Sequence, residues 1–200
     1  RRMDEQAEIL MVERGPYVSY ANCGLPYHVG GVIPEESSLL VATEQTFREM
    51  FGGEVRTSCE AVASSPKQKT VDLRNLATGE MTTESYDKLV LSPGAAPIRP
   101  PLPGIDLPGI FSVRTVPDAR TIRQWLERDT GTRGGLESYT GLQVVTKPKR
   151  AVVVGGGFIG LETAENLIHR GFDVTVVEMA DQILAPLDPE MARIAEGYLQ

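Results

Sequence analysis

The stretch from Ala151 to Glu178 constrains the fold of this chain more than any other. Ala151-Val152-Val153-Val154 is a short, β-branched apolar run that reads as a buried parallel strand. Gly155-Gly156-Gly157-Phe158-Ile159-Gly160 follows at once and fits G-x-G-x-x-G. Leu161 to Ile168 reads as a helix with Leu161, Ala164, Leu167 and Ile168 on one face, stopped by Gly171. A second strand, Val174 to Val177, ends in Glu178. In such a unit Gly155 permits the tight turn, Gly157 lets the backbone approach a pyrophosphate, and Gly160 lets helix and strand pack closely. The helix N-terminus offers unpaired N–H groups and a positive dipole end to the phosphates, and Glu178 can accept from both ribose hydroxyls.

Glycine-rich turns alone are common. Here strand, loop, helix, strand and terminal acid occur in order, and the acid lies 18 residues past Gly160 (178 − 160). A 2′-phosphate would be repelled by Glu178, and Met179, Ala180 and Asp181 supply no cation to offset that. NADH is therefore expected ahead of NADPH, which stands second.

The start of the chain echoes the end of this unit. Glu8-Ile9-Leu10-Met11-Val12-Glu13 matches Asp173-Val174-Thr175-Val176-Val177-Glu178: an acid, four strand residues and an acid, 165 residues apart (178 − 13). That offset is long for a solenoid repeat and suits two nucleotide-binding domains in one chain. On this reading Arg1 sits at the end of a first crossover helix whose strand and glycine loop lie upstream. Met191 to Gln200 reads as a helix with no later strands, so the chain is expected to be truncated at both ends.

Between the two units the pattern is looser. Gly15-Pro16 marks a loop, and Gly30-Gly31 ends whatever precedes it. A helix is expected from Glu44, with Thr43 as N-cap and Phe47, Met50 and Phe51 on its apolar face. Residues 54–63, 69–76 and 80–91 read as strands, the last two separated by the turn Ala77-Thr78-Gly79. The proline- and glycine-rich run from Ser92 to Gly109 cannot be a helix. Pro117 to Glu127 reads as helical, while 129–146 is polar, glycine-rich and without period.

The charge balance is −7 in 200 residues, which argues against a nucleic-acid partner. No apolar run approaches the roughly 18 residues of a membrane span, and Arg1-Arg2-Met3-Asp4-Glu5 lacks the apolar stretch of a signal peptide. A cytoplasmic protein is the expectation. Only two cysteines occur, Cys23 and Cys59, too few for a secreted disulfide scaffold. Cys59, on an expected strand, reads as a buried small hydrophobe. His28 reads as a packing residue rather than a base, and Trp125 as a core or linker contact. No metal-ligand cluster stands out.

Ser19-Tyr20-Ala21-Asn22-Cys23-Gly24-Leu25-Pro26-Tyr27 resembles the active-site signature of the single-cysteine pyridine nucleotide-disulfide oxidoreductases. These include CoA-disulfide reductase, persulfide reductases, NADH oxidase and NADH peroxidase. Tyr86 to Ala95 resembles the strand and turn that close on the flavin there, and Val152 to Glu178 the NADH half. The resemblance implies two Rossmann-like, three-layer ββα domains of the α/β class: an FAD-binding domain over 1–114, a linker or insertion over 115–149, and the start of an NAD(P)H-binding domain from 150. It implies Cys23 as the redox thiol, and Arg2, Ser19 and Asn22 as contacts for the disulfide substrate. Glu13 and Arg14, with Ser92, Pro93 and Gly94, would hold FAD. Gly155, Gly157, Phe158, Ile159, Gly160, Glu162 and Glu178 would hold NADH, with Phe158 covering the nicotinamide pocket and Glu162 close to it. A homodimer is implied as well. The stretch 129–146 departs from the family as an insertion, and position 28 is His, so a dithiol five residues apart cannot form.

A single cysteine suits that chemistry because a thiolate attacks a disulfide sulfur and is regenerated by two electrons. Three acceptor classes stay open: CoA disulfide or a CoA-type persulfide; oxygen or peroxide through a sulfenic acid; or a protein electron carrier, with Cys23 incidental.

Overall fold

The computed structural model describes residues 3–128 and 149–199. Arg1, Arg2, the stretch 129–146 and Gln200 lie outside them, and with these the expectations placed on Arg2 and on the insertion. By contact the chain divides into two compact units, Arg1–Ala21 with Leu40–Ala95, and Asn22–Leu39 with Ala96–Gln200.

In the first unit, β1 (Leu10–Val12) lies parallel to β4 (Glu54–Arg56), with Met11 opposite Val55. β2 (Ser19–Tyr20) runs antiparallel to β3 (Leu40–Ala42). Helix α1 (Leu25–Gly30) belongs to the other unit; α2 (Glu44–Phe51) leads into β4 and begins as expected, because the Thr43 hydroxyl accepts from the Thr46 N–H at 3.1 Å. Its apolar face is less buried than its sequence suggests. Phe47 and Phe51 stack on each other at 5.2 Å, yet Met50 and Phe51 stay exposed.

The strand expected over 54–63 is two strands, β4 and β5 (Cys59–Ser65), broken where Ser58 takes φ +49°. β5, β6 (Thr70–Asn75) and β7 (Met81–Ser85) form an antiparallel meander. The Asn75 side chain shapes the turn at 77–79 by accepting from the N–H groups of Ala77 and Thr78. The strand expected to run on to Leu91 stops at Ser85. Val90 and Leu91 are 83% and 75% exposed, since no strand among the described residues offers them an edge, and an extended segment becomes a strand only by pairing.

The second unit is built around α1 (Leu25–Gly30), with α3 (Val116–Arg128) and α4 (Phe158–His169) packed against it. Leu25 and Val29 of α1 are fully buried, as are Val116 and Ala119 of α3, with Ile122 and Leu126 continuing its helical stripe. Truncating either of the two buried α1 side chains to alanine would cost about 2–4 kcal/mol. Arg120 of α3 forms a two-pronged ion pair with Glu36 at 2.6 Å per bond. β8 (Lys149–Val154) and β9 (Phe172–Val177) are parallel and in register from Lys149↔Phe172 to Val154↔Val177. α4 connects them, so the crossover unit forms where the glycine pattern puts it. α5 (Pro189–Gly197) follows, starting earlier than expected behind Asp188.

Two expectations about this unit need correction. β8 is not buried on both faces: Val152 and Val154 are 65% and 82% exposed, while the alternate residues are half-buried, Val153 against Gly160 of α4. A parallel strand reads as continuously apolar when both its faces are covered, and here only one is. On α4, Ile168 is exposed and Asn166 takes the buried place beside Ala164 and Leu167.

Candidate dinucleotide and thiol sites

The turn after β8 is held by few but specific contacts. Gly155 adopts φ +111°, and its N–H donates to the carbonyl of Val177 at 2.8 Å, joining loop to strand end. Gly160 lies so close to the loop that a Cβ there would stand 1.9 Å from the Gly155 carbonyl oxygen. Only glycine allows α4 to start this near β8. Gly157 is the N-cap of α4 and caps it with no side chain, so the first-turn N–H groups are left for an outside acceptor. A Cβ at Gly157 would meet nothing within 4 Å. Close packing at Gly160 beside open space at Gly157 is the cradle that a pyrophosphate needs.

Glu178 lies at the end of β9. Its two carboxylate oxygens accept from the backbone N–H of Gly156 at 2.6 Å and of Ala180 at 2.8 Å. These bonds, that from Ala180 first, hold its carboxyl below the ordinary carboxylate range. The acid thereby joins the glycine loop to the strand that follows. Phe158 and Ile159 open α4 and are 57% and 58% exposed. Glu162 lies one turn further along, its carbonyl accepting from the Asn166 side chain at 2.8 Å.

Cys23 stands in a single 3-10 turn, Asn22–Gly24, that leads directly into α1. It is exposed and carries a free thiol. The segment behind it is rigid. Leu25, Pro26, His28 and Val29 are buried, and Gly31 closes the helix with φ +86°. His28 is 3% exposed and donates through Nδ1 to the Ile33 carbonyl at 2.8 Å, so it is committed to packing, as its sequence context suggests. Cys59 is buried in the first unit at the head of β5. Trp125 packs edge-on against Phe111 at 5.6 Å and lies against Gly109, where a Cβ would stand 3.3 Å from its ring, so it holds the end of the proline- and glycine-rich run to α3.

In the first unit, Glu13 follows β1 and accepts from the Gly15 N–H at 2.6 Å. Arg14 comes next, at the start of the loop that follows. Ser19 lies in β2, next to Asn22 and Cys23 along the chain. Ser92, Pro93 and Gly94 lie in an exposed irregular segment, with φ +70° at Gly94. Among the described residues no helix is long and apolar enough to cross a membrane.

The model of the pyridine nucleotide-disulphide oxidoreductases matches residues 1–200, the whole of the chain. This chain belongs to that family. Among its relatives, a coenzyme A disulfide reductase of Staphylococcus haemolyticus is 34% identical over 97% of the chain and 40% of its own length. Among solved structures, reduced CoADR-RHD of Bacillus anthracis superposes with TM-score 0.87 at 42% identity, covering 99% of this chain and 33% of that one. A NAD-dependent persulfide reductase from A. fulgidus gives TM-score 0.83 at 35% identity, over 100% of this chain and 34% of that one. The chain thus spans about 40% of the length of the curated relatives it matches.

Two features of this oxidoreductase chain were not legible beforehand. Asn166 sits 1% exposed on α4, and a Cβ at Gly30 of α1 would fall 2.1 Å from its Oδ1. Arg170, just past α4, donates to the Val29 carbonyl of α1 at 2.9 Å. In the sequence Gly30 marks only the end of whatever precedes it, and a lone amide on an apolar stripe gives no hint of its partner. The second feature is the segment after Glu178, where Leu184 donates its N–H to the Gly156 carbonyl at 2.9 Å.

Proposed function

We propose that the protein is an FAD-dependent, NADH-using disulfide reductase acting on CoA disulfide or a CoA-type persulfide, with Cys23 as its redox thiol. The observation that carries this reading is an exposed, free Cys23 inside the Ser19–Tyr27 signature, on a rigid turn, in a chain that also bears a complete dinucleotide loop. The relatedness to coenzyme A disulfide reductase supports the substrate class.

The cradle at Gly155, Gly157 and Gly160 fits a pyrophosphate, with Phe158, Ile159 and Glu162 on the first turns of α4 lining the approach to the nicotinamide. Glu178 would turn from its backbone partners to the adenosine ribose, and the lack of a cation at Met179 to Asp181 favours NADH over NADPH. Glu13 and Arg14, with the segment Ser92-Pro93-Gly94, would hold FAD, the domains running 1–114 and from 150, joined by 115–149. FAD, when bound, supplies the passage of an electron pair from NADH to sulfur.

The remaining chemistry belongs to Cys23. Its thiolate attacks one sulfur of the substrate disulfide, forming a mixed disulfide and releasing one thiolate, which takes a proton from water. The electron pair then cleaves the mixed disulfide, restoring the Cys23 thiolate and releasing the second thiolate, which takes up one proton to leave as a thiol. Ser19 and Asn22, beside Cys23 along the chain, and Arg2 would contact the substrate. Such an enzyme is expected to be a cytoplasmic homodimer.

The test is anaerobic NADH consumption by the full-length, FAD-loaded protein with CoA disulfide, wild type against Cys23→Ser. A loss of about a thousandfold or more is expected if the thiol is the covalent nucleophile. Turnover that survives the substitution removes Cys23 from the mechanism. Wild-type turnover only with oxygen or peroxide moves the reading to an oxidase or peroxidase.

A further inference from the structure

We propose that the Ile183–Leu184 segment is a positioning element for the dinucleotide loop, holding the Gly156–Gly157 peptide so that the Gly157 N–H is aimed at the pyrophosphate. The inference rests on the dinucleotide reading above and adds residues outside its fingerprint.

The argument follows from the planarity of the peptide. All described peptide bonds are trans, so the carbonyl of one residue and the N–H of the next point in opposite directions. The Gly155–Gly156 peptide is held on its N–H side by Glu178 Oε2 at 2.6 Å, while the Gly155 carbonyl oxygen is crowded by Gly160. The Gly156–Gly157 peptide is held on its carbonyl side by the Leu184 N–H at 2.9 Å. That bond turns the Gly157 N–H away from Leu184, and the loop is open at Gly157, where a Cβ would meet nothing within 4 Å. Gly157 N–H has no acceptor among the described residues.

The segment that provides the bond is itself built to stay in place. Ile183 is 8% exposed and lies against Gly156, where a Cβ would stand 2.7 Å from the Ile183 Cγ2. Leu184 takes φ +50°, a left-handed conformation that a leucine rarely adopts. Its neighbours close a turn around it: Leu187 donates to the Leu184 carbonyl at 2.8 Å, and the Gln182 side chain to the Leu187 carbonyl at 2.9 Å. A left-handed leucine persists only when surrounding contacts over-determine it, and here its N–H bond to the loop is one of them. Gly156, the variable position of the G-x-G pattern, thus has no room for a Cβ, with Ile183 at 2.7 Å and Glu178 at 3.3 Å from where it would stand.

The test replaces Leu184 in the full-length, FAD-loaded protein by its α-hydroxy analogue, which exchanges the N–H for an ester oxygen and keeps the side chain. Affinity is measured for NADH, ADP-ribose and adenosine. NADH and ADP-ribose, which carry the pyrophosphate, are expected to bind about threefold to tenfold more weakly, the worth of one hydrogen bond, while adenosine binds as to wild type. Unchanged affinity for all three overturns the proposal, as does an equal loss for all three, which marks a merely structural role. Should the ester variant not fold, Ile183→Ala bears the same test with the same selective loss expected and the same outcomes against it. Failure of the wild type to bind NADH at all would overturn the dinucleotide reading and this inference with it.

Discussion

Glu178 and Glu13 end two parallel strands, β9 and β1, and their carboxylates begin alike. Each accepts from the backbone N–H two residues further on, Ala180 at 2.8 Å and Gly15 at 2.6 Å. They part at the neighbouring strand. β9 lies beside β8, whose continuation is the glycine loop, and Glu178 takes a second N–H from Gly156. β1 lies beside β4, whose continuation is the kink at Ser58; there the Glu13 N–H donates to the Arg56 carbonyl at 3.0 Å, and the Glu13 carbonyl accepts from Cys59. The carboxylate of Glu178 thus bridges the glycine loop and the segment after β9, whereas that of Glu13 accepts from Gly15, and only the Glu13 backbone reaches the bend between β4 and β5. The bonds to Arg56 and Cys59 are made by the Glu13 backbone and not by its carboxylate, so what separates the two acids among the described residues is the second N–H that the glycine loop offers Glu178.

The largest break in that comparison should come from Gly160→Ala. The added Cβ meets the Gly155 carbonyl at 1.9 Å, a backbone atom with nowhere to go. A loss of about 3 kcal/mol is expected in denaturant unfolding, together with loss of dinucleotide affinity. A loss under half of that would mean that α4 can slide away from β8.

Gly156→Ala and Gly15→Ala sharpen the contrast. At Gly156 the new methyl meets Ile183 Cγ2 at 2.7 Å, a branch close to its own backbone, and about 1–2 kcal/mol is expected to be lost. At Gly15 it meets only the Glu13 Oε1 at 3.0 Å, the far end of a flexible side chain, and stability should stay within about 0.5 kcal/mol. Equal losses would erase the distinction between the two loops.

Truncating the acids themselves should be milder. Glu178→Ala leaves two backbone N–H groups without their acceptor and Glu13→Ala leaves one, so Tm is expected to fall further for Glu178→Ala. A larger fall for Glu13→Ala would reverse the order argued here.

The smallest effect is on pH. The carboxyl of Glu178 is held below its ordinary value by the N–H groups of Ala180 and Gly156. Its contribution is therefore present above the unfolded value, about 4.3, and is lost as pH falls through the lower folded value. The Tm difference between wild type and Glu178→Gln should be constant from neutral pH down to about pH 5 and shrink below about pH 4. A difference that instead grows on acidification would contradict the assigned bonds.

The crossover unit was legible because every part of it is local. A β-branched run, glycines at set offsets, a 3.6-residue stripe and a closing acid each act within a few residues of one another, and β8, α4 and β9 form where those signals lie. The Thr43 cap and the turn at 77–79 were legible for the same reason. The strand to Leu91 and the double-sided burial of β8 were misread because both depend on a neighbour. Apolar β-branched composition says that a segment could be covered, not that a described partner covers it.

By itself the sequence determined the strand–glycine loop–helix–strand unit at 151–178, the acid at each of two strand ends, and the signature around Cys23 with the family that these mark, since each rests on residue type and short spacing. Only the tertiary structure decided that Asn166 nests on Gly30, that Glu178 and Leu184 grip successive peptides of the glycine loop from two sides, and that Gly156 must yield to Ile183. Those contacts join residues from 22 to 136 positions apart (178 − 156 and 166 − 30), and such pairings arise from the way helices and loops pack, which no local pattern encodes.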